Sequence, residues 1–355
     1  MIPFITYLLA ILLFLNLPTV TVARLTEAHR LAEYQRRNHT YPPRHWVPSG
    51  YPEWGAMHER RIEQVRRITE HGDRYDGWLQ TLTSGFISPN FTEFGWGLTR
   101  APPGIVEELK QRLHDGLPTA GDEVRTSAIQ GELKPYLVPV GRLALKAMDV
   151  LKPMHEEWVG VPLKGTTAYG LRAYRNGSNL LMHVDKPQTH IISCILHIDH
   201  SEDSEPWPIF IEDFKGNTNE VVLESGDMLF YESSKCLHGR PRNFTGSWYS
   251  SIFVHYHPVG WDTQTRNLES NYAIPPDWTE ISPPSDGLNT LQMSGTALKE
   301  PDCPDVWCNT QNTVKWQGPA PEGVVVTAGF DAKDPSTWKT AGAYKGTATH
   351  DNSEL

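Results

Sequence analysis

The 355-residue sequence predicts an α+β protein with a jelly-roll core, supporting helices ahead of that core and an irregular extension after it. Helical periodicity is confined to the part of the chain before residue 160. Eight short strand-like runs follow between residues 168 and 256, separated by Asn-Gly, Lys-Gly-Asn and Ser-Gly-Asp turns. Because the helices precede the strands and do not alternate with them, we do not expect a sheet built from βαβ units.

Residues 1–23 have the composition of a secretory signal peptide or a signal anchor. The chain is almost wholly apolar from Ile2 to Val22, and Thr21-Val22-Ala23 offers small residues for cleavage. A basic segment ahead of the apolar run is missing, and a run of about 20 residues would also suffice as a membrane anchor. Entry into the endoplasmic reticulum, with retention or secretion, is therefore expected. Four glycosylation sequons agree with it and begin at Asn38, Asn90, Asn176 and Asn243.

Residues 24–100 are predicted to be a helical and linker region, and residues 101–260 the main domain. A charged surface helix is expected at 56–70, and further helices at about 104–113 and 137–158. The last of these repeats Val140, Leu143, Ala147 and Leu151, which places an apolar stripe against the sheet. A net charge of -10 argues against a nucleic-acid partner, whose binding surface would be basic.

The strands and the C-terminal region complete the predicted organisation. Strands are expected at 168–174, 180–185, 189–198, 207–213, 219–223, 227–231, 236–239 and 248–256. Eight short strands are typical of a jelly roll, whose open end can hold a ligand. Residues 261–355 contain 13 acidic and 6 basic side chains. They are expected to form an irregular acidic extension, either a lid or docking segment or a tail wrapped on the barrel.

A His-x-Asp triplet and a distant histidine indicate a metal site. In a strand, His183 and Asp185 share one face, and His238 on another strand would complete a two-histidine, one-carboxylate set that suits Fe(II). Spacing alone does not select this triplet, because the chain also contains two others. These are His71-Gly72-Asp73 and His197-Ile198-Asp199, and His255 and His257 are alternatives to His238 as the distal ligand.

The segment Tyr174-Arg175-Asn176-Gly177-Ser178-Asn179-Leu180-Leu181-Met182-His183-Val184-Asp185 resembles the entry strand of the prolyl 4-hydroxylase branch of Fe(II)/2-oxoglutarate dioxygenases. Ser225-Gly226-Asp227-Met228-Leu229-Phe230-Tyr231, His238 and Val254-His255 resemble its closing strands. The resemblance implies a double-stranded β-helix and metal ligation by His183, Asp185 and His238. It also implies Fe(II), 2-oxoglutarate as cosubstrate, ascorbate, and hydroxylation of a peptidyl side chain, with proline favoured, in a peptide or protein substrate.

The chain departs from this family where 2-oxoglutarate is usually held. Trp248 occupies the position of the lysine that binds the far carboxylate, and Leu180 that of an expected tyrosine. Arg240, two residues after His238, shares its strand face and is predicted to bind that carboxylate, with Tyr249 and Arg242 as weaker candidates. A surface salt bridge is the alternative role for Arg240. A non-catalytic jelly-roll binding protein and a cupin-like metalloenzyme without 2-oxoglutarate remain alternative functions.

Cysteines and aromatic residues leave two further questions open. Cys303 and Cys308 form either a disulfide, which an oxidising compartment would allow, or two free thiols. Cys194 and Cys236 are expected to be buried and free. Four aromatic residues are expected either to flank the mouth of the jelly roll beside a proline-containing peptide or to be core residues. They are Tyr174, Trp207, Tyr231 and Trp248.

Overall fold

A computed structural model describes most of the chain from residue 51 to residue 340. The described residues are 51–82, 90–124, 127–261, 274, 278–286, 291–303, 306–308, 310, 312–327 and 339–340. The predicted signal segment and the Asn38 sequon lie outside them. Within the described ranges, no helix combines the length and apolar character needed to cross a membrane.

Four α-helices lie in the described residues, namely α1 Pro52–Arg66, α2 His71–Leu82, α3 Pro103–Gly116 and α4 Arg142–Val159. Helix α4 begins later than predicted, because residues 136–137 form a short strand and Gly141, at a φ of 53°, precedes the helix. It ends at Gly160 in the left-handed conformation that glycine adopts without steric strain. The triplet beginning at His71 opens helix α2.

Seventeen strands are described. They are β1 Trp96–Arg100, β2 Gly121–Asp122, β3 Ile129–Gln130, β4 Tyr136–Leu137, β5 Leu163–Arg175, β6 Asn179–His183, β7 Ile192–His200, β8 Ile209–Glu212, β9 Thr218–Val222, β10 Asp227–Tyr231, β11 His238–Arg240, β12 Trp248–Pro258, β13 Gln292–Ser294, β14 Ala297–Lys299, β15 Val314–Gln317, β16 Val326–Thr327 and β17 Lys339–Thr340. Each of the eight predicted strands overlaps one of β5 to β12 in order, which confirms that part of the prediction.

The strands form two large sheets. The first has the order β17-β16-β1-β10-β7-β12-β5-β4-β2, and the second has the order β13-β14-β6-β11-β8-β9-β15, with β3 beside β6. All the pairings are antiparallel except that of β15 with β9. Strands β5, β7, β10 and β12 therefore belong to one sheet and β6, β8, β9 and β11 to the other. This arrangement is consistent with a jelly-roll-like fold.

Alternating side chains of the first sheet face a helical layer on one side and the barrel interior on the other. Leu109 of α3 and Leu151 of α4 pack with Ile252 and Val254 of β12 in one apolar cluster. On the interior side, Ile195 belongs to a cluster shared with strands of the second sheet. The core therefore has two layers, as the period-two pattern of these strands requires.

Helices α1 and α2 cover the outer face of the second sheet, where Val65 and Trp78 pack with Met182 and Phe210. The expected charged surface of α1 is present, since Glu59, Glu63 and Arg66 are exposed, but one of its charged residues is buried. Arg61 on this helix is only 6 % exposed and donates from Nη2 to both carboxylate oxygens of Glu212, at 2.8 and 3.1 Å. The mixed charges of α1 concealed this buried ion pair.

The C-terminal region, expected to be irregular, adds strands to both sheets. Strand β14 pairs with β6, β15 pairs with β9, and β16 pairs with β1. These short strands cover sheet edges whose backbone groups would otherwise lack partners. Cys303 and Cys308 form a disulfide with their Cα atoms 5.4 Å apart, whereas Cys194 and Cys236 are free and buried, as expected.

Candidate metal centre

Strands β6 and β11 bring the predicted metal ligands together. His183 ends β6, His238 begins β11, and the two histidines are direct partners across the antiparallel pair. Asp185 follows two residues after His183, and its backbone N–H donates to the carbonyl of Ser233. Gly239 allows the two strands to lie close, because a Cβ there would be 2.8 Å from the carbonyl oxygen of Leu180.

The three side chains present their ligand atoms to one point. One ligand atom from each of His183, Asp185 and His238 lies within 4.8 Å of the other two. The ring centroids of the two histidines are 4.5 Å apart, and Nε2 of His183 lies 3.8 Å from Oδ1 of Asp185. A small cation can be shared by groups at these separations.

Hydrogen bonds fix which nitrogen each histidine offers. Nδ1 of His183 donates to the carbonyl of Leu181 at 2.8 Å, and Nδ1 of His238 donates to the carbonyl of Cys236 at 2.9 Å. Each ring therefore keeps a free lone pair on Nε2. Burial lowers the pKa of His183, and burial together with the neighbouring histidine lowers the pKa of His238 well below its ordinary range. Both rings are neutral at pH 7, the form that binds metals.

Asp185 supplies a buried carboxylate that lacks a hydrogen-bond partner on one oxygen. Burial raises its pKa from 3.8 to about 7, although a hydrogen bond from Ser233 and the charge of Arg172 act in the opposite direction. Its Oδ2 atom is buried without a hydrogen-bond partner. A buried carboxylate in this state is stabilised by a bound cation. The donor set of two imidazoles and one carboxylate fits Fe(II).

His255 and His257 are engaged elsewhere and do not join this set of ligand atoms. Nδ1 of His255 is hydrogen-bonded to Oγ of Ser193 at 2.7 Å and lies 3.8 Å from Oδ2 of Asp185. His257 uses Nδ1 to contact the carbonyl of Pro258 at 2.8 Å. His255 therefore lies beside the carboxylate ligand without joining the three ligand atoms.

The triplet His197-Ile198-Asp199 does not form a second centre. Both ring nitrogens of His197 are hydrogen-bonded, to the carbonyl of Ser250 and to Nδ1 of His200, each at 2.9 Å. Asp199 pairs with Lys110 at 3.0 Å and with His114 at 2.8 Å. Among the described residues, the other group of possible ligands is Glu300 with Cys303 and Cys308, whose sulfur atoms are joined in the disulfide.

Arg240 and Tyr249, the predicted 2-oxoglutarate residues, contact each other inside the barrel. Arg240 is 2 % exposed, its Nη2 donates to the Tyr249 hydroxyl at 3.1 Å, and its Nη1 donates to the carbonyl of Trp207. Its guanidinium also lies over the rings of Trp207 and Tyr249, at 4.7 and 4.6 Å. Arg240 is therefore not in a surface salt bridge. Arg242 pairs instead with Glu220 at 2.8 Å.

Three of the four aromatic residues are buried in this structure. Tyr174 and Trp207 pack with Phe244 and Tyr249 in a buried cluster, and Tyr231 is 2 % exposed. Trp248 is partly buried and packs against the helical layer of the first sheet.

Sequence reasoning missed Arg172 and Glu123. Arg172 lies on β5, two residues before Tyr174 and therefore on the same strand face. Its charge contributes to lowering the pKa of His183, after the larger effect of burial. Glu123 pairs with it across 49 positions of sequence. The position of Arg172 relative to Tyr174 could have indicated an inward-facing cation, whereas nothing in the sequence indicated its partner.

Comparison with known proteins gives no sequence match and several distant structural ones. No protein-family model and no curated protein matches the sequence. A prolyl 4-hydroxylase of Pseudomonas putida is similar over 46 % of this chain and 93 % of its own, with 14 % identity and a TM-score of 0.35. A Trichoplax adhaerens prolyl hydroxylase, solved with a hypoxia-inducible-factor peptide fragment, is similar over 49 % of this chain and 86 % of its own. Its identity is 13 % and its TM-score 0.37.

A third similar structure is HygX from Streptomyces hygroscopicus with nickel and 2-oxoglutarate bound. The similarity covers 48 % of this chain and 85 % of that one, with 14 % identity and a TM-score of 0.36. Two of these three structures are prolyl hydroxylases, and the third was solved with 2-oxoglutarate bound. Because the scores are low, the chemistry of this site has to follow from its own residues.

Proposed function

We propose that this protein is an Fe(II)/2-oxoglutarate-dependent dioxygenase built on a double-stranded β-helix. The observation that supports the proposal is the convergence of His183, Asp185 and His238, with the unpartnered Oδ2 of Asp185 among them. Three protein ligands leave positions for a cosubstrate and O2. The division of strands β5 to β12 between the two sheets, with four strands in each, supports the fold assignment.

Each residue of the centre has a separate task. His183 and His238 bind the metal through Nε2, and their Nδ1 hydrogen bonds to backbone carbonyls hold the rings in place. Asp185 contributes the negative charge that offsets the cation. When bound, Fe(II) and 2-oxoglutarate supply the chemistry that hydroxylates an unactivated C–H bond while 2-oxoglutarate and O2 become succinate and CO2.

Arg240 is proposed to bind the far carboxylate of 2-oxoglutarate in place of the absent lysine. It lies on β11, two residues after His238, and its guanidinium is already oriented by Tyr249 and the carbonyl of Trp207. A charge-assisted hydrogen bond to a carboxylate contributes about 1.5 to 3 kcal/mol. Arg240→Ala should therefore weaken 2-oxoglutarate binding by roughly 10- to 100-fold and leave metal affinity nearly unchanged.

The proposal is tested by anaerobic reconstitution with Fe(II), followed by titration of 2-oxoglutarate and measurement of the absorption band that the ternary complex gives. We expect stoichiometric iron and a saturable band in the wild type, and neither in His238→Ala. His197→Ala is the matched control, because that histidine lies in the unused triplet. If His238→Ala retains iron and His197→Ala loses it, the metal site must be assigned to the triplet that begins at His197. Iron binding without the band would favour the cupin-like alternative.

The proposed substrate is a peptidyl proline, which the resemblance of the two motif segments suggests. Incubation with Fe(II), ascorbate, 2-oxoglutarate and a proline-rich peptide library should add one oxygen mass to proline and form an equal amount of succinate. Succinate release stimulated only by a small molecule or a sugar would reject the prolyl substrate and retain the dioxygenase class. Absence of turnover despite metal binding would favour a non-catalytic binding protein.

Passage through the secretory pathway is proposed from the N-terminal apolar run and the sequons. Asn176 and Asn243, the first residues of two of the sequons, are exposed. Treatment of the expressed protein with an N-glycosidase should lower its mass. Recovery of an unglycosylated protein with Met1 intact from the cytosol would reject this localisation.

A further inference from the structure

Arg172 lies on β5, and no step of the proposed reaction uses it. Its position on β5 pairs with Ser251 of β12, and its side chain is 13 % exposed. Its guanidinium is hydrogen-bonded to Tyr174, which packs with Tyr249, the hydrogen-bond partner of Arg240. Arg172 and Arg240 are therefore connected through two packed tyrosines. Because 2-oxoglutarate has only one carboxylate away from the metal, Arg240 and Arg172 do not both need to bind it.

The guanidinium of Arg172 is paired with a carboxylate of the protein itself. Nε and Nη2 of Arg172 donate to the two carboxylate oxygens of Glu123, each at 2.6 Å. The hydroxyl of Tyr169 donates to the same carboxylate at 2.7 Å. Nη1 of Arg172 donates to the hydroxyl of Tyr174 at 3.2 Å. Two parallel hydrogen bonds with an added hydroxyl are the geometry with which arginine binds the carboxylate of a ligand.

The side chain of Glu123 is buried, although the neighbouring residues of the chain are exposed. It is 2 % exposed, yet the next residue, Val124, is 83 % exposed, and the two residues of β2 that precede it are also exposed. Its backbone N–H donates to the carbonyl of Pro135 at 2.7 Å. The Glu123 side chain is thus held mainly by Arg172 and Tyr169, and the packing around its neighbours adds little.

A cavity opens beside the Glu123 member of this ion pair. Its volume is about 400 Å³, and its lining combines Glu123 with apolar residues such as Ile129 and Leu133 and with the polar residues Gln130 and Lys134. A ligand in this cavity would contact the carboxylate of Glu123.

We propose that Arg172 and Tyr169 form a carboxylate-binding subsite, which Glu123 occupies until the carboxylate of a ligand displaces it. The exchange keeps Arg172 paired throughout, so no buried charge is left alone, and the carboxylate of Glu123 moves toward water. The inference deepens the proposed function and rests on it for the position of the reacting ligands. The entering carboxylate belongs either to 2-oxoglutarate or to an acidic substrate, and binding measurements separate these two sources.

The test compares Glu123→Gln with Glu132→Gln, an equal charge change at an exposed residue of the same segment. The full-length protein is loaded with Mn(II), and calorimetry measures binding of 2-oxoglutarate and, with 2-oxoglutarate present, of two peptides. The peptides are acetyl-Asp-Pro-Gly-amide and its Asn counterpart. Removing the internal carboxylate should tighten the binding of one carboxylate ligand about tenfold or more, because displacement no longer breaks a charge-assisted pair.

The double variant Glu123→Gln/Arg172→Gln should lose this gain, and it leaves no unpaired buried charge that would compromise folding. Tighter 2-oxoglutarate binding by Glu123→Gln assigns the subsite to the cosubstrate. Tighter binding of the Asp peptide alone, with no change for the Asn peptide, assigns it to an acidic substrate. Equal affinities of Glu123→Gln and Glu132→Gln for all of these ligands would overturn the inference. If the wild type fails to bind Mn(II), the proposed function fails, and the same comparison without metal still decides the subsite.

Discussion

Replacing Asp185 with asparagine should change protein stability in opposite directions with and without metal. The substitution keeps the shape of the side chain and removes its charge. In the metal-free protein, burial raises the pKa of this carboxyl group from 3.8 to about 7, so the ionised form is disfavoured in the folded state. In the metal-bound protein, the same charge faces a cation and stabilises the complex.

The folded-state and unfolded-state pKa values of Asp185 give the size and sign of the effect that its charge has on the free energy of unfolding without metal. Because the folded-state pKa lies above that of the unfolded chain, the ionised carboxylate destabilises the fold as the pH rises above about 4. The effect grows until the pH reaches about 7 and is constant above it, where it amounts to about 4 kcal/mol as an upper value. At pH 5 the same reasoning gives about 1.5 kcal/mol. The stability advantage of the Asp185→Asn variant should therefore increase by roughly 2 to 3 kcal/mol between pH 5 and pH 8.

Urea unfolding at both pH values measures these differences, once with a chelator and once with Mn(II). With metal at 100 times its dissociation constant, the wild type should gain about 2.7 kcal/mol and Asp185→Asn almost nothing. Asp115→Asn, on an exposed face of α3, should change the free energy of unfolding by less than about 0.5 kcal/mol in every condition. If Asp185→Asn is less stable than the wild type at pH 8 in chelator, or gains as much from Mn(II), then the carboxylate is not a buried metal ligand.

Two further substitutions, each with a control, test the packing of α1 on the second sheet and the close approach of β11 to β6. Arg61→Ala leaves Glu212 buried without its partner and should lower the free energy of unfolding by about 3 to 5 kcal/mol. Arg66→Ala on the same helix, where the side chain is 50 % exposed, should change it by less than about 0.5 kcal/mol in the same urea titration. Gly239→Ala should force β11 away from β6 and weaken Mn(II) binding at least tenfold, as measured by calorimetry. Gly104→Ala, where a Cβ would meet nothing within 4 Å, should leave metal affinity unchanged.

The order of strands β5 to β12 and the juxtaposition of His183, Asp185 and His238 could be predicted from strand periodicity, turn residues and the resemblance of two motif segments. A period of two places His183 and Asp185 on one side of the chain, and turn residues separate β5 to β12 clearly. The pairing of His183 with His238 was predicted from the resemblance and from the position of His238 on a short strand. The structure agrees on this juxtaposition, with the two residues directly opposite each other.

Features that depend on distant partners could not be predicted. The buried ion pair of α1, Arg61 with Glu212, joins residues that are 151 positions apart in the sequence. The pairing of β15 with β9 likewise joins distant parts of the chain, and the Pro- and Gly-rich composition around β15 suggested no strand. Composition predicts only the average exposure of a residue type. These residues are buried because each contacts a specific partner that is distant in the sequence.

The charges inside the barrel explain why two arginines can be buried near one metal centre. In the proposed complex, a divalent cation, the carboxylate of Asp185, a dianionic 2-oxoglutarate and Arg240 would together carry no net charge, since the two histidines are neutral. Arg172 must then be balanced separately, and in this structure Glu123 balances it with both oxygens. A neutral substrate would leave that pair intact, whereas an acidic substrate could replace Glu123 without adding charge to the interior. The Arg172 subsite should therefore select for a carboxylate and disfavour a cationic group, which would meet Arg172 with no anion between them.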